Sequence, residues 1–145
     1  MIAVRALRPG DAAAWAPLWR GYLAFYEAAH DETIARETFR RLNEDPRYFA
    51  FVAEEDGRLV GMAQCVIHAS TWTAHDYCYL SDLFVDPAAR GRGAARALIE
   101  AIYDEARRRG LARVHWLTKE SNHAARKLYD KLASYDGFVQ YRRKI

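Results

Sequence analysis

The chain has 145 residues, 51% hydrophobic and 28% charged, which suits one domain (residues 1–145) with its own core and excludes a disordered chain. No run approaches the roughly 20 apolar residues that a membrane span needs, and the opening MIAVRALRPGD has no apolar signal core. The net charge of +3 is too mild to argue for nucleic acid, and Cys65 and Cys78, outside any CxxC, read as reduced thiols in the core of a cytoplasmic protein.

Residues 2–8 alternate weakly and predict a short strand, which RPGD ends. Asp11 is placed to cap a helix carrying Trp15, Leu18, Trp19, Tyr22, Phe25 and Tyr26 at helical spacing, with Pro17 early enough to kink it. HDETIARETFRRLNEDP predicts a second helix that stops before Pro46. The period then changes to that of strands. YFAFVAEE and LVGMAQCVIH flank Asp56-Gly57, a hairpin signal, and YCYLSDLFV forms a third run closed by Asp86-Pro87. Ala95, Leu98, Ile99, Ile102 and Ala106 form the apolar face of the next helix, which Gly110 ends. ARVHWLT predicts a strand. A helix bearing Ala125, Leu128, Tyr129 and Leu132 follows Ser121-Asn122, and GFVQYRRKI predicts a closing strand. The order β-α-α-β-β-β-α-β-α-β makes a mixed α/β (α+β) domain around one sheet.

The informative junction is Arg90-Gly91-Arg92-Gly93-Ala94-Ala95, between a strand and a long helix. A helix N-terminus presents unpaired amides and the positive end of its dipole, and small residues let an anion reach the backbone. Arg90 and Arg92 add charge that matches phosphate. A pyrophosphate cradle and a plain glycine-rich turn both fit this pattern. A P-loop would need GxxxxGK[ST], and the dinucleotide fingerprint would need glycine where Arg96 stands.

DLFVDPAARGRGAARALI resembles the acetyl-CoA-binding segment of the GNAT superfamily of N-acetyltransferases, R/Q-x-x-G-x-G/A, through Arg90, Gly93 and Ala95. ESNHAARKLYDKLASYDGF resembles the segment that follows, with Asn122 opening a helix and Tyr129 seven residues on. WAPLWRGYLAFYE, STW, VHWLTKESNHAARKLY and YRRK are similar to the yeast histone-and-other-protein acetyltransferase group and its bacterial relatives. The likeness covers nearly the whole chain in order.

The resemblance implies a splayed mixed sheet with acetyl-CoA, as cosubstrate, in the gap. Its pantetheine arm would pair with backbone at Leu83, Phe84 and Val85, its pyrophosphate would lie on the amides of residues 90–95, and Asn122 would reach the arm or simply cap its helix. It also implies Tyr129 as general acid, against the alternative of a core tyrosine on the apolar helix stripe. Asp82, a carboxylate in an apolar strand, is the candidate base; a structural carboxylate is the competing reading. Tyr26, Glu27 and Trp72 are expected to wall the acceptor site. Ser81 stands where related polyamine acetyltransferases carry a second carboxylate, which argues against a polyamine acceptor.

The expected acceptor is a primary amine of a small molecule, an amino acid or a protein, attacked directly in a ternary complex. Metal, membrane and nucleic acid are not expected, and a homodimer or higher homo-oligomer is. A coenzyme-A-binding regulatory or scaffold domain without turnover is the alternative.

Overall fold

The structure, a computed structural model, describes residues 1–145. Five strands form one sheet in chain order: β1 Ile2–Ala6, β2 Tyr48–Glu55, β3 Arg58–His68, β4 Tyr77–Val85 and β5 Arg113–His115. The first four are an antiparallel meander, and β5 joins β4 in parallel. Four helices flank the sheet: α1 Ala12–Phe25, α2 Glu32–Glu44, α3 Ala94–Arg108 and α4 His123–Leu132. None is long and apolar enough to cross a membrane.

Local chemistry explains most boundaries. Asp31 caps α2 by accepting from the Thr33 and Ile34 amides at 2.8 and 3.2 Å. Asp56 and Gly57 both take positive φ, 50° and 75°, the twist a two-residue hairpin between β2 and β3 requires. Asp11 does not cap α1 through its side chain; its carboxylate instead accepts from the Arg8 amide at 2.8 Å and pairs with Arg5. α1 runs unbroken through Pro17.

The sheet has an apolar layer on each face. Leu98, Ile99 and Ile102 of α3 pack with Phe49, Ala53, Val60, Ala63, Cys65, Cys78, Leu80 and Val85. Trp15, Leu18 and Trp19 of α1, with Ala35 and Leu42 of α2, pack with Ala50, Val52, Leu59 and Met62 on the other. Cys65 and Cys78 are free and buried.

One irregularity positions the site. The β3–β4 register slips between Gln64 and Cys65, so that Gln64 faces Asp82 while Cys65 faces Leu80, leaving Ser81 as an extra residue. Strict alternation would put Asp82 on the same face as Cys78 and Leu80, inside the α3 core. The bulge reverses the parity and turns Asp82 toward α1.

The C-terminal expectations change most. ARVHWLT forms a ladder over Arg113–His115 only, because β4 and β5 part beyond Tyr79 and His115. GFVQYRRKI does not form a strand: residues 133–145 carry no regular structure, and Phe138, Val139 and Tyr141 are exposed. A strand needs a neighbour to satisfy its amides and carbonyls, and no strand lies along the outer edge of β5.

Candidate active site

β4 continues for six residues after its last pair with β5. Leu80–Val85 therefore border a gap, open on the side where a parallel strand would continue. Leu83, Phe84 and Val85 all lie on this stretch, and the Val85 carbonyl accepts from Arg90 Nε at 3.1 Å.

Beyond β4, the chain turns through Pro87–Ala89 and enters α3 at Gly93. Gly91 and Gly93 have φ of 79° and 86°, the left-handed region that disfavours side chains. A Cβ on either would meet no protein atom within 4 Å. Backbone conformation alone thus demands both glycines, and the space in front of them is clear of protein. No side chain caps α3 and no acidic residue stands in its first turn; the amides of Ala94 and Ala95 lie in that turn, without intrahelical acceptors. These are the properties of an anion cradle. The flanking arginines are partly committed elsewhere. Arg92 pairs with Glu55 at 2.9 Å and donates to the Ala88 carbonyl at 3.0 Å, and the Arg90 guanidinium lies 5.8 Å from the Phe84 ring centroid.

On the α1 face, Asp82 is surrounded by donors and aromatic rings. Gln64 Nε2 donates to Asp82 Oδ2 at 2.9 Å, and Trp15 Nε1 donates to Gln64 Oε1 at 2.6 Å. Burial raises the Asp82 carboxyl above the ordinary aspartate value, while the Gln64 hydrogen bond, and after it the nearby Tyr22 and Ser81 hydroxyls, oppose that rise. The Tyr22 hydroxyl donates to the Ser81 carbonyl at 3.4 Å. Asp82, Gln64 and Ser81 line a cavity of about 240 Å³ with Trp19, Thr38, Leu42, Tyr48 and Val66. The Trp19 indole N–H is buried without a partner.

Tyr129 lies on α4, the helix that follows β5 on the other side of the gap, and is half-buried, with the Trp116 ring 5.4 Å away. Burial, then the neighbouring Tyr26, push its hydroxyl up to about 12. Tyr26 connects the two sides, since it lies near enough to Asp82 for that carboxylate to raise its own hydroxyl. Its ring is 5.0 Å from Tyr22, with Lys119 Nζ 5.8 Å from its centroid. Glu27 is exposed, in a left-handed conformation at φ 54° just past α1. Asn122 begins α4, but its amide donates to Thr118 Oγ1 at 3.1 Å and does not cap the helix.

Tyr26 thus lies near both Asp82 and Tyr129, and Leu80–Val85 border the gap and lead through Pro87–Ala89 to the α3 N-terminus. Trp72 is not among them. It is 82% exposed in the loop between β3 and β4, at the far end of β4 from Val85. Sequence reasoning missed Gln64 and assigned Trp15 and Tyr22 to the packing face of the first helix. Gln64 had a legible signal, being the lone strongly polar residue within LVGMAQCVI.

Comparison with known proteins agrees with this architecture. The acetyltransferase (GNAT) family profile matches residues 15–134. The D-amino-acid N-acetyltransferase HPA3 of Saccharomyces cerevisiae is 35% identical over 146 residues, spanning 98% of this chain and 90% of that protein. The [ribosomal protein bS18]-alanine N-acetyltransferase of Escherichia coli K12 is 31% identical over 114 residues, 79% of this chain and 72% of that one. Among solved structures, a ribosomal-protein-alanine N-acetyltransferase from Brucella melitensis biovar Abortus superposes with a TM-score of 0.84 at 24% identity, covering 100% of this chain and 99% of that one. The acetyltransferase AAC(6')-Iy, in complex with a bisubstrate analogue of coenzyme A, gives 0.88 at 20% identity, with 100% and 99% coverage. With the profile spanning most of its length and a splayed sheet beside an uncapped α3, the chain belongs to the GNAT family of acetyltransferases.

Proposed function

We propose that this protein transfers the acetyl group of acetyl-CoA to the primary amine of a small amino-acid-like acceptor, by direct attack in a ternary complex. The observation that carries the reading is the parting of β4 and β5 beyond Tyr79 and His115, with the half-buried Asp82 on β4 and the half-buried Tyr129 on α4 both near Tyr26. The cradle at residues 90–95 suits the cofactor's pyrophosphate, and the backbone of Leu83, Phe84 and Val85 suits its pantetheine arm and thioester carbonyl. Asn122, at the start of α4, would add a contact to that arm through its side-chain amide.

The reaction needs a neutral amine, whereas a lysine-like amine has a pKa of about 10.4. Asp82 takes one proton from the ammonium, directly or through water, and passes it to solvent. As the C–N bond forms and the C–S bond breaks, the departing sulfur takes a proton from the Tyr129 hydroxyl. The nitrogen's second proton restores that hydroxyl. Tyr129 is suited to this role because its raised value keeps it protonated throughout the neutral range.

An amino-acid acceptor is favoured by HPA3, whose name specifies D-amino acids, and by the cavity beside Asp82. Its carboxylate suits an ammonium, the unpaired Trp19 indole N–H suits an oxygen, and Leu42 and Val66 suit an apolar substituent. Tyr26 and Glu27 at the end of α1 form the adjoining wall. We assign the protein to the cytoplasm as a homodimer; the free buried thiols and the exposed Phe138, Val139 and Tyr141 support those two points.

The test is acetyl-CoA-dependent thiol release with a panel of D- and L-amino acids, polyamines and peptides. Turnover with amino acids, lost in Asp82→Asn and Tyr129→Phe, is expected. Cofactor binding without turnover on any amine would instead indicate a coenzyme-A-binding regulatory domain.

A further inference from the structure

Gln64 is 2% exposed in the middle of β3, a site otherwise given to apolar side chains. Both ends of its amide are occupied: Oε1 accepts from Trp15 at 2.6 Å, and Nε2 donates to Asp82 Oδ2 at 2.9 Å. The direction of this chain follows from donor chemistry. An indole nitrogen can only donate, so the amide oxygen must face Trp15. The amide nitrogen, which also only donates, must then face Asp82. Trp15 is itself 3% exposed and stacked on Trp19 with centroids 5.6 Å apart, so its ring cannot turn away.

The geometry points to Trp15 and Gln64 as positioning residues that hold Asp82 Oδ2 as a proton-free acceptor and leave Oδ1 as the oxygen that takes the amine's proton. This rests on the reading of Asp82 as the base. The relay gives a half-buried carboxylate a defined orientation, since a proton on Oδ2 would collide with an amide that has no acceptor to offer. It also moderates the effect of burial by favouring the ionised form.

The other groups facing Asp82 are Tyr22 and Tyr26 from α1, Tyr79 and Ser81 from β4, Cys65 from β3 and Tyr48 across the cavity from β2. α2 contributes Thr38 and Leu42, which do not titrate. Burial and the Asp82 charge raise Tyr22, Tyr26 and Tyr79, and burial raises Cys65, so all four stay neutral where Asp82 titrates.

The experiment follows Asp82 in the full-length protein by carboxyl carbon NMR, assigned by loss of the signal in Asp82→Asn, alongside the pH profile of kcat/KM. Gln64→Met keeps the length and packing of the side chain but removes both hydrogen bonds. It should move the Asp82 midpoint upward by about 1–2 pH units, the scale of a lost charge-assisted hydrogen bond. Trp15→Phe should move it less in the same direction, because the freed amide can turn its oxygen to a protonated Asp82. Gln64→Glu should move it most, by placing a second carboxylate alongside. An unchanged midpoint in folded Gln64→Met and Gln64→Glu would overturn the relay. A midpoint that moves while the kcat/KM limb stays fixed would support the relay as the holder of Asp82 and remove Asp82 from the role of base.

Discussion

The β1–β4 meander with its helices and the β5–α4 side of the gap differ in how they are held. Every fully buried residue lies between Trp15 and Ala106. α3 contributes Leu98, Ile99 and Ile102, all fully buried, whereas α4 contributes none. β5 meets β4 through three residue pairs, against eight between β2 and β3. Asp82 and the α3 N-terminus thus stand on a densely packed frame, while Tyr129 is carried by an element held through Leu128, Leu132 and a Tyr103 hydroxyl that donates to the Leu132 carbonyl at 2.8 Å. A gap with one firm wall and one lightly held wall can admit a long cofactor and adjust to it without disturbing the core.

The contrast can be broken from either side. Ile99→Ala, in the dense layer, should destabilise the protein by about 2–5 kcal/mol in chemical denaturation, through lost transfer energy and a cavity that cannot collapse. Tyr129→Phe removes one hydroxyl from the lightly held wall. It should leave the melting temperature and acetyl-CoA affinity unchanged while turnover falls about a hundredfold or more; a near-normal rate would mean that another group protonates the sulfur. Leu128→Ala, half-buried on α4, should cost only about 1–2 kcal/mol, and a loss equal to that of Ile99→Ala would refute the contrast.

Acid should also act on the lighter side first. His115 Nε2 lies 2.8 Å from His68 Nε2, and burial, then Arg113 and His68, lower His115 from 6.5 to about 4. A histidine depressed on folding contributes stability that is present above pH 6.5 and lost as pH falls toward 4. Between those values the wild-type melting temperature should fall more steeply than that of His115→Gln; parallel slopes would show that the pair carries no such linkage. The smallest effect belongs to Glu27, whose φ of 54° is strained for a side chain. Glu27→Gly should raise stability by up to about 1 kcal/mol. A simultaneous rise in KM for the amine would mark Glu27 as part of the acceptor wall, and an unchanged KM would make it a helix terminus only.

The same division governs what could be read from the sequence. The meander, Asp56-Gly57, α2 and α3 were legible because period, turn chemistry and caps are local. Asp82 was legible as a carboxylate in an apolar strand, but its orientation was not: it depends on the bulge at Ser81, which appears only when β3 and β4 are registered. The glycines at 91 and 93 were legible as required small residues, and the structure gives the reason in their left-handed backbone, with clear space in front of them. The Trp15–Gln64, Arg92–Glu55 and His68–His115 contacts join residues 49, 37 and 47 positions apart, beyond any local pattern. GFVQYRRKI had strand composition, yet composition does not supply the neighbour that a strand requires.

The central claim is that the α3 N-terminus receives the anionic part of acetyl-CoA, and Gly93 tests it most directly. Gly93→Asn and Gly93→Asp introduce side chains of the same shape that tolerate a left-handed φ and differ by one negative charge. At a helix N-terminus an aspartate should stabilise the fold as well as an asparagine does, or better. Calorimetric titration of acetyl-CoA into both variants should show Gly93→Asp binding about tenfold or more weaker than Gly93→Asn, so that stability and affinity do not move together. Equal affinity for the two, with both folded, would contradict the account and make the junction a turn.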